Sequence, residues 1–316
     1  MIRVNDLNFT YPGNSEPTID HVAFSLEAGR IYGFLGPSGA GKSTTQRILY
    51  GLLPRYQGSV QVYDREIRDW STAIYARVGI AFETPNLYLK LTGRENLDLA
   101  RALRSAGGAR THSSRAAVRP EDRRIEAGLE RLGLTDAANQ RVEKWSKGMR
   151  MRLSFLRAVL HAPDLLFLDE PTSGLDPMWA RVVKDWVLEL RQEGTAVFLT
   201  THSMELADEL CDTVGFLIDG RIAAEDSPTV LKQRHGSPAI TVYGRDAQDR
   251  DIEQTVPYDE LRCGPLSGIS HITRVVNREV SLEEVFLQLT GRTLTGQSLT
   301  GQSRLDEGDA GSVDTP

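Results

Sequence analysis

Hydrophobic and polar residues alternate along the first part of the chain, and uninterrupted apolar runs follow. The alternation at 2–11 predicts a strand with one buried face, and that at 22–26 predicts another. Continuous apolar runs predict strands covered on both faces, at 31–35, 78–82, 165–168 and 195–201. The spacing of apolar residues predicts mainly helix from about 91 to 160 and at 179–192. This order of strands and helices predicts an α/β fold around a parallel sheet.

The chain changes character after position 227. Short strand-like pieces at 240–243 and 272–276 are separated by polar segments, and a short amphipathic helix is predicted at 281–289. A Thr-Gly repeat and an acidic end predict that 293–316 is disordered. The basic, aperiodic stretch 105–119 is better explained as a solvated linker than as a binding patch.

Composition narrows the class of protein. The 316 residues carry a net charge of -6, so no nucleic-acid partner is expected. The two cysteines, Cys211 and Cys263, lie far apart without metal-ligand spacing, which suits a reducing cytosol. The N-terminus lacks the apolar core of a signal peptide, and no apolar stretch approaches the roughly 20 residues that span a bilayer. If the protein works at a membrane, another polypeptide must do the spanning.

A glycine-rich segment between the strand at 31–35 and a helix has the spacing of a phosphate-binding loop. It consists of Gly36, Pro37, Ser38, Gly39, Ala40, Gly41, Lys42, Ser43 and Thr44. Backbone N–H groups of such a loop and the dipole of the following helix bind polyphosphate. Lys42 supplies a cation for the β- and γ-phosphates, and the Ser43 hydroxyl is a candidate Mg²⁺ ligand. The expected fold is a P-loop NTPase core with an antiparallel β subdomain, an inserted helical subdomain and a small C-terminal α+β extension.

Two acids follow the apolar run at 165–168. Because strand ends of a parallel sheet face the ligand crevice, Asp169 is expected to hold Mg²⁺ through water and Glu170 to polarise the attacking water. His202 ends another strand and is a candidate γ-phosphate contact. Tyr11 has two interpretations of similar weight, stacking on a purine ring or ordinary core packing. The helix start at Ser146 and Gly148 is a potential anion site.

These segments resemble the ATP-binding subunit of an ABC transporter over about 1–225. The resemblance implies that Tyr11 stacks on adenine and that 36–44 is the Walker A loop. It also implies that 145–149 replaces the LSGGQ signature, that 165–170 is Walker B with its catalytic glutamate, and that 173–176 is the D-loop with Asp176. His202 matches the switch histidine. Residues 282–292 resemble the drug- and polymer-exporting subfamily, whose membrane partner is a separate ABC-2-type permease.

Two departures from the family pattern concern the site. The family usually has Gln where this chain has Glu83, next to Mg²⁺, and Gly and Gln where it has Lys147 and Met149. Glu83 is therefore a further candidate metal ligand beside Ser43 and Asp169, and Lys42, Glu170 and His202 remain the expected catalytic residues.

What the resemblance implies is a homodimer, or a heterodimer with a similar subunit, that clamps two ATP molecules with Mg²⁺. Each nucleotide would lie between one Walker A loop and Ser146, Lys147 and Gly148 of the other subunit. The expected location is cytoplasmic, peripheral on the inner face of the cell membrane. The expected divisions are an ATPase domain at 1–226 with a helical part at about 84–160, an accessory region at 227–292 and a tail at 293–316. Two rival hypotheses are a soluble ABC ATPase without a transport role and an ATP-binding regulator with low turnover.

Overall fold

The protein is described by a computed structural model over residues 1–106, 120–235, 239–258, 268–278 and 280–290. The chain divides into two compact units, Met1–Arg234 and His235–Pro316. The predictions for most of 105–119 and for the tail at 293–316 lie outside the described residues, as does Cys263.

The first unit contains a four-stranded antiparallel sheet with the strand order β2-β1-β4-β5. Its strands are β1 (Ile2–Phe9), β2 (Ile19–Leu26), β4 (Gln57–Val62) and β5 (Arg65–Glu66). The alternating residues of β1 and β2 bury one face, as the sequence predicts. Tyr11 is not part of this sheet: β1 ends at Phe9, and the Tyr11 carbonyl accepts a hydrogen bond from Asn14 N (3.0 Å) in the turn that follows.

A six-stranded sheet forms the centre of this unit, in the order β10-β9-β3-β8-β7-β6. Its strands are β3 (Ile31–Leu35), β6 (Val78–Ala81), β7 (Leu165–Asp169), β8 (Ala196–Thr201), β9 (Thr213–Ile218) and β10 (Arg221–Asp226). All are parallel except β10, which pairs antiparallel with β9 through a hairpin. The carboxyl ends of β3, β7 and β8 therefore meet at one edge. Phe82, predicted as strand, lies just past the end of β6.

The described residues up to His235 contain seven α-helices. They are α1 (Lys42–Leu49), α2 (Gly93–Ala106), α3 (Pro120–Arg131), α4 (Lys147–Val159), α5 (Pro177–Gln192), α6 (Met204–Leu210) and α7 (Pro228–His235). Thr92 and Glu95 exchange the two hydrogen bonds of a capping box at the start of α2. Helix α5 begins at Pro177 rather than Trp179, and α7 was not predicted. Among the described residues, no helix combines the length and apolarity needed to cross a bilayer.

The core of the first unit lies between its two sheets. Phe24 of β2 packs against Phe34 of β3 and Phe198 of β8, with ring centroids 5.6 Å apart in both pairs. All three rings are buried, and such aromatic pairs contribute about 0.5–1.5 kcal/mol each beyond the area they bury. This packing fixes the sheet from which the phosphate-binding loop and the two acids emerge.

The second unit is a small α+β structure. Strands β11 (Ala239–Arg245), β12 (Asp251–Pro257) and β13 (His271–Arg278) form an antiparallel sheet in the order β12-β11-β13, followed by α8 (Leu282–Thr290). Strand β12 was not predicted from the sequence. Val242 of β11 is buried, as are Val285 and Phe286 of α8.

Candidate functional site

The loop between β3 and α1 has the conformation that a phosphate-binding loop requires. Gly39 and Gly41 have φ of +85° and +108°, which side chains other than glycine rarely adopt. A Cβ on Gly41 would lie 2.5 Å from Ile19 Cδ1 and 2.8 Å from the Thr18 carbonyl. The backbone therefore passes close against β2, and helix α1 starts directly after it, so the positive end of α1 faces the loop.

Lys42 lies inside this loop. Its Nζ donates hydrogen bonds to the carbonyls of Gly36 (2.6 Å) and Pro37 (2.9 Å). Burial lowers the pKa of the Lys42 ammonium, and the negative charges of Glu170, Asp169 and Glu83 oppose that shift. Lys42 is thus a cation within the field of three carboxylates.

Asp169 is the last residue of β7 and lies beside β8. Thr200 donates a hydrogen bond to Asp169 Oδ1 (2.5 Å) from the directly opposite register position. The pKa of Asp169 is raised overall, chiefly by burial and also by the negative charge of Glu83. The Thr200 hydrogen bond and the positive charge of Lys42 partly oppose this shift. The carboxylate is held in one orientation at the sheet edge.

Glu170 is buried and unusually well anchored. Its Oε1 accepts hydrogen bonds from His202 N (2.8 Å) and lies 2.7 Å from His202 Nδ1, and its Oε2 accepts one from the Thr201 hydroxyl (2.9 Å). The Glu170 side chain is only 11% exposed, whereas that of His202 is 66% exposed. A carboxylate held by three groups of the adjacent strand end is well placed to orient a water molecule.

The loop, the acids and the histidine share one cavity of about 370 Å³. It is lined by Ser38, Gly39, Gly41, Lys42, Ser43, Thr44, Glu83, Asp169, Glu170 and His202. The sequence predicted every one of these residues. Gly36, Pro37 and Ala40 complete the loop without lining the cavity.

The donor set of this cavity fits a magnesium ion. Ser43, Asp169 and Glu83 offer hydroxyl and carboxylate oxygens, the hard ligands that Mg²⁺ accepts. Among the described residues, no group of three or more His, Cys, Asp or Glu side chains is arranged to hold a metal by itself.

Tyr11 lies beside the loop rather than within the cavity. Its Oη is 3.2 Å from the Thr44 hydroxyl, and its ring meets Phe9 edge-on with centroids 4.8 Å apart. The ring is partly exposed and lies next to the start of α1. The contact with Phe9 fits the core-packing interpretation of Tyr11, and the solvent-exposed part of the ring fits stacking on a purine.

The remaining predicted residues form a second cluster outside this cavity. Ser146 caps α4 by accepting a hydrogen bond from Met149 N (3.1 Å), and Asp176 caps α5 by accepting one from Trp179 N (3.1 Å). The exposed Lys147 side chain lies over Gly174. A Cβ added to Gly174 would be 3.5 Å from Lys147 Nζ. A Cβ on Gly148 would lie 3.4 Å from the Gly174 carbonyl. The two turns are therefore packed together within one chain, apart from that chain's own phosphate-binding loop.

Three supporting residues were not identified from the sequence. Thr200 and Thr201 orient the two acids, and the buried Gln46 donates from Nε2 to the Leu168 carbonyl (3.3 Å), tying α1 to β7. The sequence signal that could have identified Thr200 and Thr201 is their position as two consecutive hydroxyl residues at the end of an apolar strand.

Comparisons with known proteins show which proteins this chain is similar to. A family model described as ABC transporter matches residues 19–173. The chain is 43% identical over 296 residues to the fluoroquinolones export ATP-binding protein of Mycobacterium tuberculosis (strain CDC 1551 / Oshkosh), covering 92% of this chain and 94% of that protein. It is 35% identical over 304 residues to the daunorubicin/doxorubicin resistance ATP-binding protein of Streptomyces peucetius, covering 88% and 89%. A solved dimeric ATP-binding cassette, bound to ADP and Pi in a post-hydrolysis state, is similar with a TM-score of 0.63 and 25% identity, over 72% of this chain and 98% of that one.

Proposed function

Because this chain belongs to the ABC transporter family, we propose that it powers an exporter whose membrane-spanning part is a separate ABC-2-type permease. It is an ATP-binding and ATP-hydrolysing subunit, and ABC ATPase domains dimerise and work with transmembrane permeases. Relatives named for drug export or drug resistance support the direction of transport. The proposed location is cytoplasmic, on the inner face of the cell membrane.

The observation that carries the proposal is the single cavity shared by the phosphate-binding loop, two anchored acids and a histidine. Lys42, the loop N–H groups and the positive end of α1 bind the ATP phosphates. On binding, Lys42 exchanges its hydrogen bonds to the Gly36 and Pro37 carbonyls for phosphate oxygens. Tyr11, beside Thr44, is the proposed contact of the adenine ring.

Ser43 and Asp169, with Glu83, are the proposed holders of Mg²⁺. When bound, the ion supplies positive charge that neutralises the phosphate oxygens during transfer. Thr200 keeps the Asp169 carboxylate aligned for this task.

Glu170 is the proposed general base. Its oxygens are fixed by Thr201 and by His202, so a water molecule next to the carboxylate is oriented before it attacks the γ-phosphate. His202 remains largely exposed and can turn its other ring nitrogen towards the phosphate. The low-turnover regulator becomes the weaker hypothesis, because both acids are buried or anchored by strand-end groups.

The second cluster is proposed to act on the nucleotide of another subunit. Ser146, Lys147, Gly148 and Asp176 do not line the cavity of their own chain, and the solved relative is a dimer. In a homodimer, or a heterodimer with a similar subunit, the start of α4 would close over the partner's phosphates.

An exposed apolar patch lies in the helical part of the first unit. Tyr88 and Leu103, which are 58% and 62% exposed, line one groove together with Leu87 and Leu99. Such a patch supports attachment of a partner subunit, and we propose the permease. We further propose that residues 1–226 form the ATPase domain, in which about 84–160 make up the helical part, and that residues 227–292 form an accessory region.

A phosphate-release assay on the purified chain tests the activity. Magnesium and ATP should give turnover that Lys42→Ala abolishes, because that variant loses the cation of the loop. Pull-down with detergent-extracted membranes should recover a membrane-spanning protein. Turnover with capture of ribosomes or DNA instead would favour the soluble ABC ATPase, and absence of turnover would favour the regulator.

A further inference from the structure

The nucleotide cavity is dominated by negative charge. Of the described side chains that line it, Glu83, Asp169 and Glu170 are carboxylates and Lys42 is an ammonium. Arg47 of α1 adds a positive charge near Asp169 without lining the cavity. The phosphates of ATP would bring further negative charge into the same space.

Glu83 differs from the other two acids in its surroundings. Asp169 and Glu170 are held by Thr200, Thr201 and His202. Glu83 is exposed and follows the end of β6. It lines the same cavity, and its negative charge opposes the lowering of the Lys42 pKa and adds to the raising of the Asp169 pKa. The Glu83 carboxylate thus shares the cavity that is to receive the phosphates, without the hydroxyl and histidine contacts that hold the other two acids.

We propose that Glu83 makes nucleotide binding depend on magnesium, so that this site selects the magnesium complex of ATP over the metal-free nucleotide. The inference rests on the proposed function of the cavity. Without metal, Glu83 repels the phosphates. With metal, the same carboxylate attracts the ion or ligates it directly or through water, since Mg²⁺ readily accepts carboxylate oxygen. One residue therefore weakens binding in one condition and strengthens it in the other.

The size of the effect follows from Coulomb's law. A unit charge several ångströms from a phosphate, in the partly solvated environment of a cavity mouth, changes affinity on the order of tenfold. The informative quantity is the ratio of the dissociation constant in EDTA to that in excess Mg²⁺. Replacing Glu83 by Gln should lower this ratio roughly tenfold, mainly through tighter binding of the metal-free nucleotide.

The experiment uses the full chain and the non-hydrolysable β,γ-imido analogue of ATP, with affinity measured by equilibrium dialysis in EDTA and in excess Mg²⁺. Glu83→Gln is compared with the parent, with Glu83→Asp, which keeps the charge, and with Glu130→Gln. Glu130 is exposed on α3 and outside the cavity lining, so it offers the same change of charge elsewhere. Glu83→Asp and Glu130→Gln should keep most of the parent's ratio, and added salt should reduce that ratio.

Equal ratios for the parent and Glu83→Gln would overturn the inference, because they would mean that Glu83 does not sense the metal. A parent ratio near one would overturn it as well, even if Glu83→Gln failed to fold. Failure of the parent to bind the nucleotide in either condition would instead contradict the proposed function of the cavity. The two failures are therefore distinguishable.

Discussion

Glu170→Gln is the change that most directly separates nucleotide binding from hydrolysis. Glutamine keeps the shape of the side chain. Its carbonyl oxygen can still accept the hydrogen bond from His202 N, and its amide can donate to the Thr201 hydroxyl. Exchange of charge-assisted for neutral hydrogen bonds costs about 1 kcal/mol of folding stability. The variant should therefore fold.

Turnover should fall far more than stability. The amide cannot take a proton from water, and general-base catalysis contributes roughly 10²–10⁴-fold. A loss of about 10²-fold or more corresponds to at least about 2.7 kcal/mol of activation free energy. ATP affinity should be unchanged or slightly higher, since a negative charge near the phosphates is removed. ATP should consequently accumulate in a closed dimer.

Three measurements check this prediction: steady-state phosphate release, nucleotide affinity, and the elution volume of the protein with ATP on size-exclusion chromatography. Glu130→Gln is the matched control and should behave as the parent. If Glu170→Gln hydrolysed ATP within about threefold of the parent rate, Glu170 would not be the base. If affinity and turnover fell together, its role would be binding rather than chemistry.

Two further predictions concern stability. Gly41→Ala should lower the unfolding free energy by at least about 1–2 kcal/mol, because position 41 has φ of +108° and a Cβ there would contact Ile19. Gly39→Ala is the control and should cost less, since a Cβ at position 39 has open space around it. Equal melting temperatures of the two variants would contradict the role of the Ile19 contact. His161 Nε2 lies 3.2 Å from the Val78 carbonyl, and burial lowers the pKa of this histidine from 6.5 to about 4. Between these two pH values the unfolded chain binds more protons than the folded chain. The unfolding free energy should therefore fall as pH drops from about 6.5 to 4, by at most about 3 kcal/mol. Urea unfolding of His161→Gln, whose amide can still donate to Val78, should give a flatter pH profile, and parallel profiles would rule His161 out.

The residues that line the cavity could be singled out from the sequence because each stands in a local context with its own chemistry. A glycine-rich turn between strand and helix, or an acid at the end of an apolar run, is visible without tertiary structure. Thr200 and Thr201 were not recognised, because their role depends on the register Asp169↔Thr200 between strands that lie far apart along the chain. Parallel pairing of this kind leaves no local signal.

The elements that were not predicted have weak patterns for physical reasons. Strand β12 alternates partly buried and exposed residues, but three of its seven residues, Asp251, Glu253 and Gln254, are acidic or amide. Helix α7 buries only Pro228 and Leu231, so its apolar positions form no continuous stripe. In both cases neighbouring structure, rather than the segment's own periodicity, determines the conformation.

The backbone at Glu170 explains how two consecutive acids can serve one site. Neighbouring residues of a strand point to opposite faces, so Asp169 and Glu170 could not both face the cavity in extended conformation. Strand β7 ends at Asp169, and Glu170 adopts φ of +48°, which residues other than glycine rarely do. Its N–H donates to the Thr200 carbonyl (2.9 Å), and its side chain is then held by Thr201 and His202. Glycine at this position would relieve the strain but remove the carboxylate, so the unfavourable φ is a direct consequence of placing a second acid at the same strand end.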